Sequence, residues 1–368
     1  MLAQRLRMEA FKSGIEGEVR PGDRVLEVGG GLCTYSMFAA RAGAGRVWSV
    51  EGGPVVTVAR QVLRENELAD RVTLLEGWFP QVEPPEKVDL AIYEDYSARL
   101  MDSRSWAVLR HLADASLAPG GRLFPNHARI WVAPVRSPRN LEVVAPFGGG
   151  SDALYGVDWT STRELAANTP VPMPVSPDEV VGEPFMLSDL TLLPPPLARD
   201  LGGTATWTFA KGQEIHGLVF WFSLEVGQGV WLTNAPGGEP GSWGHLYLPL
   251  ERTLVVEEGG TCKARVGFDA GAQGEPGWMH WSAEAGGQRR SAHEFRSVLA
   301  SSSELERLSP EWRPTLLGSG QAALRVLELA DGTRSLATLV RILLEEGLAD
   351  TLVQAEEVVH RNLSGRAR

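Results

Sequence analysis

The chain is poor in the features that mark several protein classes. Its 368 residues include two cysteines, Cys33 and Cys262. They lie far apart, in no metal-binding spacing, and read as free thiols in a reducing compartment. The seven histidines are scattered, with no paired ligand spacing, so no metal is expected. Basic residues are outnumbered, with 35 Lys and Arg against 46 Asp and Glu and a net charge of −11. That balance argues against a nucleic-acid surface, which needs a concentrated basic field, yet an acidic surface attracts a basic peptide. No window approaches the length of a membrane span. The residues from Met1 to Arg7 hold no apolar stretch of signal-peptide length. These absences leave a cytoplasmic globular protein as the expectation, with neither membrane nor nucleic acid as partner.

What is present has three textures. Hydrophobic residues make up 43% and charged residues 22% of the chain, the balance of a packed protein, and the length suggests two domains and a remainder. An amphipathic helix is expected over residues 1–20, with Leu6, Phe11 and Ile15 at helical spacing. Strand candidates follow at Arg24–Val28, Arg46–Val50, Val72–Leu75, Val88–Tyr93 and Gly121–Phe124. The helices between them are Thr34–Ala42, Pro54–Asn66 and Ser103–Ser116. Strand–helix alternation of this kind means a parallel sheet covered on both faces, over residues 1–133.

Residues 134–292 change character. Gly148-Gly149-Gly150 and Pro194-Pro195-Pro196 punctuate a stretch with one helical patch, Ser161–Ala167. Short alternating segments come next at Thr204–Phe209, Ile215–Val226, Gly244–Leu250, Thr253–Val256, Cys262–Phe268 and Trp278–Ala285, the pattern of an antiparallel barrel or sandwich. Trp207, Trp221, Trp231, Trp243, Trp278 and Trp281 read as barrel core, with an aromatic cage as the other reading. Residues 293–368 form a small helical appendage, with helices expected at Leu324–Leu329, Leu336–Glu346 and Leu352–Leu363.

The chemistry begins at the first strand, Val25–Val28, which ends in Gly29-Gly30-Gly31 with a helix directly after it. Gly29 and Gly31 let the backbone turn sharply and approach a nucleoside. The second strand ends in Glu51, where a carboxylate accepts both ribose hydroxyls. A dinucleotide site carries three spaced glycines around a pyrophosphate. Here Leu32, Cys33 and Thr34 follow Gly31 with no third glycine. Glu27 would repel a pyrophosphate and suits a cationic ammonium group, so the pattern favours S-adenosylmethionine over NAD.

The run from Leu26 through Ser36-Met37-Phe38-Ala39-Ala40 to Ala44 resembles the protein arginine methyltransferase family, whose stretch reads L-D-V-G-x-G-T-G-x-L-S-M-F-A-A-K-A-G-A. Glu27 stands for its Asp, Leu32 for its Thr and Cys33 for its third glycine. The resemblance runs from about residue 5 to about residue 285. Arg7-Met8 with Phe11 and Gly14-Ile15 looks like the family's R-[TM]-x-x-Y-x-x-A-I helix, which implies that Arg7 holds the cofactor carboxylate, a bidentate pairing suited to a guanidinium. Leu123–Ala128 is similar to L-I-F-P-D-x-A, and Ile215–Glu225 to the central barrel strand. The family's adenine-side glutamate aligns with Pro80 in Glu76–Pro80. Glu76 flanks that segment as a substitute, and Phe79 joins the cofactor contacts.

At the methyl-acceptor side the match thins. Tyr93-Glu94-Asp95-Tyr96 stands where the family has S-E-W-M, so Glu94 takes the first glutamate of the guanidinium clamp. A guanidinium stays protonated, so carboxylates must orient it and redistribute its charge. The second glutamate is missing. Asp102, one residue early, serves either as its replacement or as the cap of the next helix. The family's threonine-histidine-tryptophan loop falls at Gly241-Ser242-Trp243, where only the tryptophan remains, and His245 lies three residues further on. Tyr96 and Trp243 are expected to touch the acceptor.

The implied fold is a Rossmann-like methyltransferase domain followed by an antiparallel β-barrel. The implied reaction is methyl transfer from S-adenosylmethionine to a guanidinium of a peptide or protein, in a homodimer formed through an arm near Tyr155–Pro177. Two other readings are open: methylation of another acceptor in a biosynthetic pathway, and a binding protein whose acceptor site has decayed. Tyr93-Glu94-Asp95-Tyr96 lacks the prolines of nucleic-acid amino methylases. The segment from Leu329 through Asp331-Gly332-Thr333 looks like the winged-helix units that recognise the leader of a ribosomally made peptide. The other reading for it is a helical cap.

Overall fold

The computed structural model describes residues 3–140, 154–238 and 243–363. Met1, Leu2, Gly148–Gly150, Gly241, Ser242 and the tail from residue 364 lie outside the described residues. The chain forms two compact units, residues 1–298 and 299–368.

The larger unit opens with helix α1 (Arg5–Glu18), which buries Arg7, Met8, Phe11, Gly14 and Ile15. Five parallel strands follow: β1 (Arg24–Val28), β2 (Arg46–Glu51), β3 (Val72–Glu76), β4 (Val88–Tyr93) and β5 (Leu117–Phe124). They pair in the order β3-β2-β1-β4-β5. Helices α2 (Thr34–Arg41), α3 (Val56–Glu65) and α4 (Ser103–His111) connect them. β1 is buried at four consecutive residues because helices cover both faces of a parallel sheet, so its sequence reads as an apolar run rather than an alternation. The order reverses beside β1, where β2 lies on one side and β4 on the other. A crevice for ligands opens at such a point, beyond the carboxyl ends of the strands.

The antiparallel part is built from two sheets. One holds β6 (His127–Val135), β8 (Phe185–Thr191), β10 (Gln213–Gly227), β12 (Leu246–Val256), the two-residue β7 (Val171–Pro172) and β11 (Val230–Thr233). The other runs β15 (Gln288–His293), β14 (Pro276–Ala285), β13 (Thr261–Ala270) and β9 (Gly203–Thr208). The indole Nε1 of Trp281 donates to the Pro249 carbonyl at 2.7 Å, tying one sheet to the other. Trp207, Trp243 and Trp281 are buried in the main core, whereas Trp221 is buried in a separate cluster with Val219 and Tyr247, and Trp278 is exposed. The expected strands Gly244–Leu250 and Thr253–Val256 are one strand, β12. Its exposed Glu251 and Arg252 fall in a bulge, where the pairing to β10 shifts register between Leu254 and Pro249 and then resumes. Helix α5 (Thr160–Ala167) falls in the segment anticipated as a dimer arm. Among the described residues no helix is long and apolar enough to cross a membrane.

The smaller unit has helices α6 (Ser302–Arg307), α7 (Gly318–Leu329), α8 (Leu336–Glu345) and α9 (Leu352–Leu363). Ala322, Val326, Leu339, Leu343 and Val359 form its core, and Arg325 of α7 pairs with Glu346 just past α8 at 2.6 Å. Ser335 caps α8 by accepting from the Thr338 amide. No β-strand forms among the described residues of this unit.

Helix α1 packs on both parts of the larger unit. A Cβ added at Gly14 would stand 1.8 Å from the Val226 carbonyl oxygen of β10 and 2.6 Å from the Phe124 ring. At Gly17, one turn on, nothing lies within 4 Å. Replacing glycine by alanine in a helix gains about 1 kcal/mol of propensity, but overpacking against rigid backbone costs about 1–3 kcal/mol. Gly17→Ala is therefore expected to raise the thermal midpoint slightly and Gly14→Ala to lower it by a few degrees. Paired melting curves measure both.

Candidate active site

The carboxyl ends of β1, β2 and β4 border a cleft of about 800 Å³ lined by Glu27, Gly29–Gly31, Glu51, Trp78, Phe79, Glu94, Tyr96 and Trp243, among others. Gly29 and Gly31 adopt φ of +75° and +53°, conformations glycine takes without steric cost. A Cβ on either would meet nothing within 4 Å, so the turn leaves room beside its backbone. Gly30, which the sequence did not single out, is the sterically obligatory one. A Cβ there would lie 1.8 Å from Ser49 Oγ. Cys33, at the family's third glycine, has φ of +59°, which explains why glycine suits that place. Its thiol is fully buried, and burial pushes it up to about 12, leaving it protonated and inert.

Glu27 is buried under this turn. It accepts from the Ser36 amide at 2.9 Å, from the Ser36 hydroxyl and from the Ser49 hydroxyl at 3.3 Å. Burial pushes its carboxyl up to about 7, partly opposed by those hydrogen bonds. It lines the cleft, and these three bonds converge on one carboxylate oxygen, Oε2. Glu51 reaches the turn from β2, accepting from Gly31 N at 2.8 Å and Gly53 N at 2.5 Å. Each oxygen retains a further lone pair for a ligand hydroxyl. Trp78 lies against Gly52, where a Cβ would come within 2.4 Å of the indole. Phe79 packs edge-on to His111.

Glu76 departs from its expected place, and Asp102 takes the helix-cap reading of its two. Glu76 is exposed and pairs with Arg60 at 2.7 Å, outside the cleft lining. The side chain before it in a strand faces the opposite way from its neighbour, and only the Gly77–Pro80 turn swings back to the cleft. Asp102 is the cap of α4, accepting from the Ser105 amide at 2.8 Å, and is not among the cleft-lining residues. A helix start supplies unpaired amides that a short carboxylate satisfies.

The acceptor end centres on Glu94, just past β4. Its carboxylate is ion-paired with the Arg7 guanidinium, and the Tyr35 hydroxyl donates to it at 3.4 Å. Burial raises the pKa of the Tyr35 phenol, which keeps it a donor. The Arg7 guanidinium carbon stands 3.8 Å from the Trp243 ring centroid, a stacked cation–π contact, and Trp243 Nε1 donates to the Glu94 carbonyl at 3.4 Å. Burial lowers the pKa of Arg7, without removing the charge of a guanidinium. Tyr96 lies against Tyr93 with ring centroids 4.9 Å apart. His245 is turned away from this centre. Its Nδ1 faces the Asn234 carbonyl at 3.0 Å and its Nε2 accepts from Val175 N at 2.8 Å, so the ring is neutral with the proton on Nδ1, and burial lowers its pKa. Arg104 and His111, also unanticipated, line the cleft. Arg104 pairs with Asp95 at 2.6 Å. Among the described residues no group of His, Cys, Asp and Glu is placed to hold a metal ion.

A parallel sheet with its cleft at the switch point, continued by an antiparallel barrel, is the architecture of a methyltransferase of the nucleotide-binding class. It is similar to the Trypanosoma brucei PRMT1 enzyme–prozyme complex solved with AdoHcy (TM-score 0.67, 22% identity, 80% of this chain and 96% of that one). It is also similar to Arabidopsis thaliana protein arginine methyltransferase 10 (TM-score 0.63, 22% identity, with the same coverages). No family model matches the chain. In sequence it is 28% identical to protein arginine N-methyltransferase 6 of Xenopus tropicalis, over 70% of this chain and 79% of that protein. It is 29% identical to an arginine N(omega)-methyltransferase of Streptomyces achromogenes, over 73% and 74%. A probable histone-arginine methyltransferase of Oryza sativa is 30% identical over 82% of this chain and 58% of its own length. Over most of its length the chain is thus similar, in sequence and in fold, to protein arginine methyltransferases.

The buried Glu27 makes a pH-dependent contribution. Its folded pKa of about 7 lies above its ordinary 4.5, so between those values the folded protein keeps a proton that the unfolded chain has released. Stability is therefore lost as pH rises from about 4.5 to about 7, by up to about 3 kcal/mol. Glu27→Gln is expected to flatten that decline, as urea unfolding at pH 5 and pH 7.5 would register.

Proposed function

We propose that the chain is an S-adenosylmethionine-dependent methyltransferase acting on a guanidinium nitrogen of arginine in a peptide or protein. The observation that carries this reading is the Arg7–Glu94–Trp243 constellation. The acceptor end of the cleft already grips a guanidinium, with a carboxylate on its edge and an indole on its face. The names of the frog and rice relatives specify protein or histone arginine, which supports the same acceptor. The Streptomyces relative's name specifies arginine alone, which makes the free amino acid the competing acceptor.

The residues fit the cofactor. The cleft of about 800 Å³ is within the range of small-molecule sites, and the open space beside Gly29 and Gly31 admits a nucleoside close to the backbone. Glu51 would hold the ribose hydroxyls, Trp78 and Phe79 the purine faces, and Arg7 the methionine carboxylate. Bound there, S-adenosylmethionine supplies a methyl group on a positively charged sulfur. Glu94 orients the acceptor guanidinium and draws its positive charge toward the nitrogens it holds, leaving electron density on the remaining nitrogen. Trp243 restricts the plane of that group, so that positioning lowers the entropic part of the barrier. Release of Arg7 from Glu94 to the cofactor carboxylate would free the clamp for the acceptor, linking the two binding events. With His245 committed to the barrel backbone, Glu94 and solvent are the routes for the released proton. We further assign peptide recognition to the helical appendage and dimerisation to the segment near residues 155–177, where Tyr155 and Val157 are exposed.

Glu94→Gln should lower turnover of an arginine peptide by about 10²-fold or more while calorimetry finds cofactor affinity within a few-fold of wild type. Wild-type turnover in that variant would sink the guanidinium reading. Glu51→Ala should weaken cofactor binding by about tenfold or more, the loss of charge-assisted hydrogen bonds. Unchanged affinity would remove Glu51 from the site.

A further inference from the structure

The outer face of the four-stranded sheet carries a second pocket, of about 320 Å³, remote in sequence from the glycine turn. Arg265, Arg289 and Arg296, the imidazoles of His280 and His293, and the hydroxyl-bearing Ser282 and Ser291 line it. The strand register explains the convergence. Arg265 of β13 is opposite Ser282 of β14, which is opposite Ser291 of β15, and His280 is likewise opposite His293. These positions alternate with buried Val266, Trp281 and Ala292, so the pleat sends them all to the outer face. The two imidazoles stack with centroids 5.8 Å apart. Gly267 makes space for this, since a Cβ there would come within 2.6 Å of the His280 ring.

The charge balance of this pocket is opposite to that of the whole chain, whose net charge is −11. No carboxylate lines it. The acidic groups beside it are Asp269, 3.2 Å from His293, Glu284, which is opposite Arg289 and 3.9 Å from Lys263, and Glu294, held by Arg99 at 2.8 Å. The side chains of Arg265, Arg289 and Arg296 have no ion-pair or hydrogen-bond partner among the described residues. Three guanidinium-bearing and two hydroxyl-bearing side chains lining one pocket match an oxyanion, which takes bidentate, charge-assisted hydrogen bonds.

We infer that this pocket binds a multiply charged oxyanion, a phosphoryl or polycarboxylate group on a ligand or partner. The site is independent of the methyltransferase reading, and its test needs no turnover. Calorimetric titration of the full chain with inorganic pyrophosphate and, separately, with citrate should give saturable one-to-one binding of at least one probe. Arg265→Gln/Arg296→Gln should weaken it by tenfold or more. Arg199→Gln, at an exposed arginine paired with Asp200, should leave it within twofold. Tighter binding of pyrophosphate identifies a phosphoryl ligand, and tighter binding of citrate a carboxylate one. As a check free of substitutions, the bound probe should protect Arg265, Arg289 and Arg296 of the wild-type chain from phenylglyoxal, read by peptide mass spectrometry. Absence of saturable binding by both probes, or binding and protection that do not involve these arginines, overturns the assignment.

Discussion

The burial of one carboxylate organises the nucleotide end of this protein. Glu27 sits beneath the glycine turn, where an unpartnered carboxylate would cost several kcal/mol. Its partners are the amide and hydroxyl of Ser36 and the hydroxyl of Ser49. Meeting that demand places the first turn of α2 directly over β1 and draws β2 alongside. Gly30 must then lack a side chain, because Ser49 occupies the space a Cβ would take. The same arrangement turns Gly31 N toward Glu51, so the second carboxylate reaches the cleft rim already oriented.

The acceptor end depends on helix α1 and the barrel. Close approach of Gly14 to the Val226 carbonyl, with Arg122 joining Glu18 and Asp23 at 2.7 Å each, fixes the helix between the parallel sheet and β10. Arg7 is thereby delivered to Glu94 on one side and to the Trp243 face on the other. The loop after β4 is held from below by Arg99, which grips both oxygens of Glu294 at the end of β15. The barrel therefore does more than enclose a core. It supplies the wall of the acceptor site and anchors the loop that carries Glu94.

The parallel half was the more legible part of the fold. Val25–Val28 and Val88–Tyr93 are uninterrupted apolar segments bounded by turns, and such segments announce strands buried on both faces. The barrel was less so. β6 includes Pro134, which argues against a central strand. β8 is mostly exposed and β15, Gln288–His293, is almost wholly polar. These strands exist because β10 offers a hydrogen-bonding edge to β6, β6 to β8 and β14 to β15, a reason that no local composition displays. In the cleft, Gly30 was hidden among three consecutive glycines, and the role of Ser36 depended on a carboxylate nine positions away.

By itself, the sequence determined the nucleotide half. Strand, glycine turn, helix, second strand and terminal Glu51 lie within about thirty residues, where backbone geometry ties spacing to position. Tertiary structure alone decided the acceptor half. It made Asp102 a helix cap, turned Glu76 outward and committed His245 to the barrel backbone. It brought together Arg7, Glu94 and Trp243, which come from three elements with no spacing relation. It also gathered Arg265, Arg289 and Arg296 around one pocket. Contacts of that kind arise from packing and strand register, which depend on the whole chain at once rather than on any window of it.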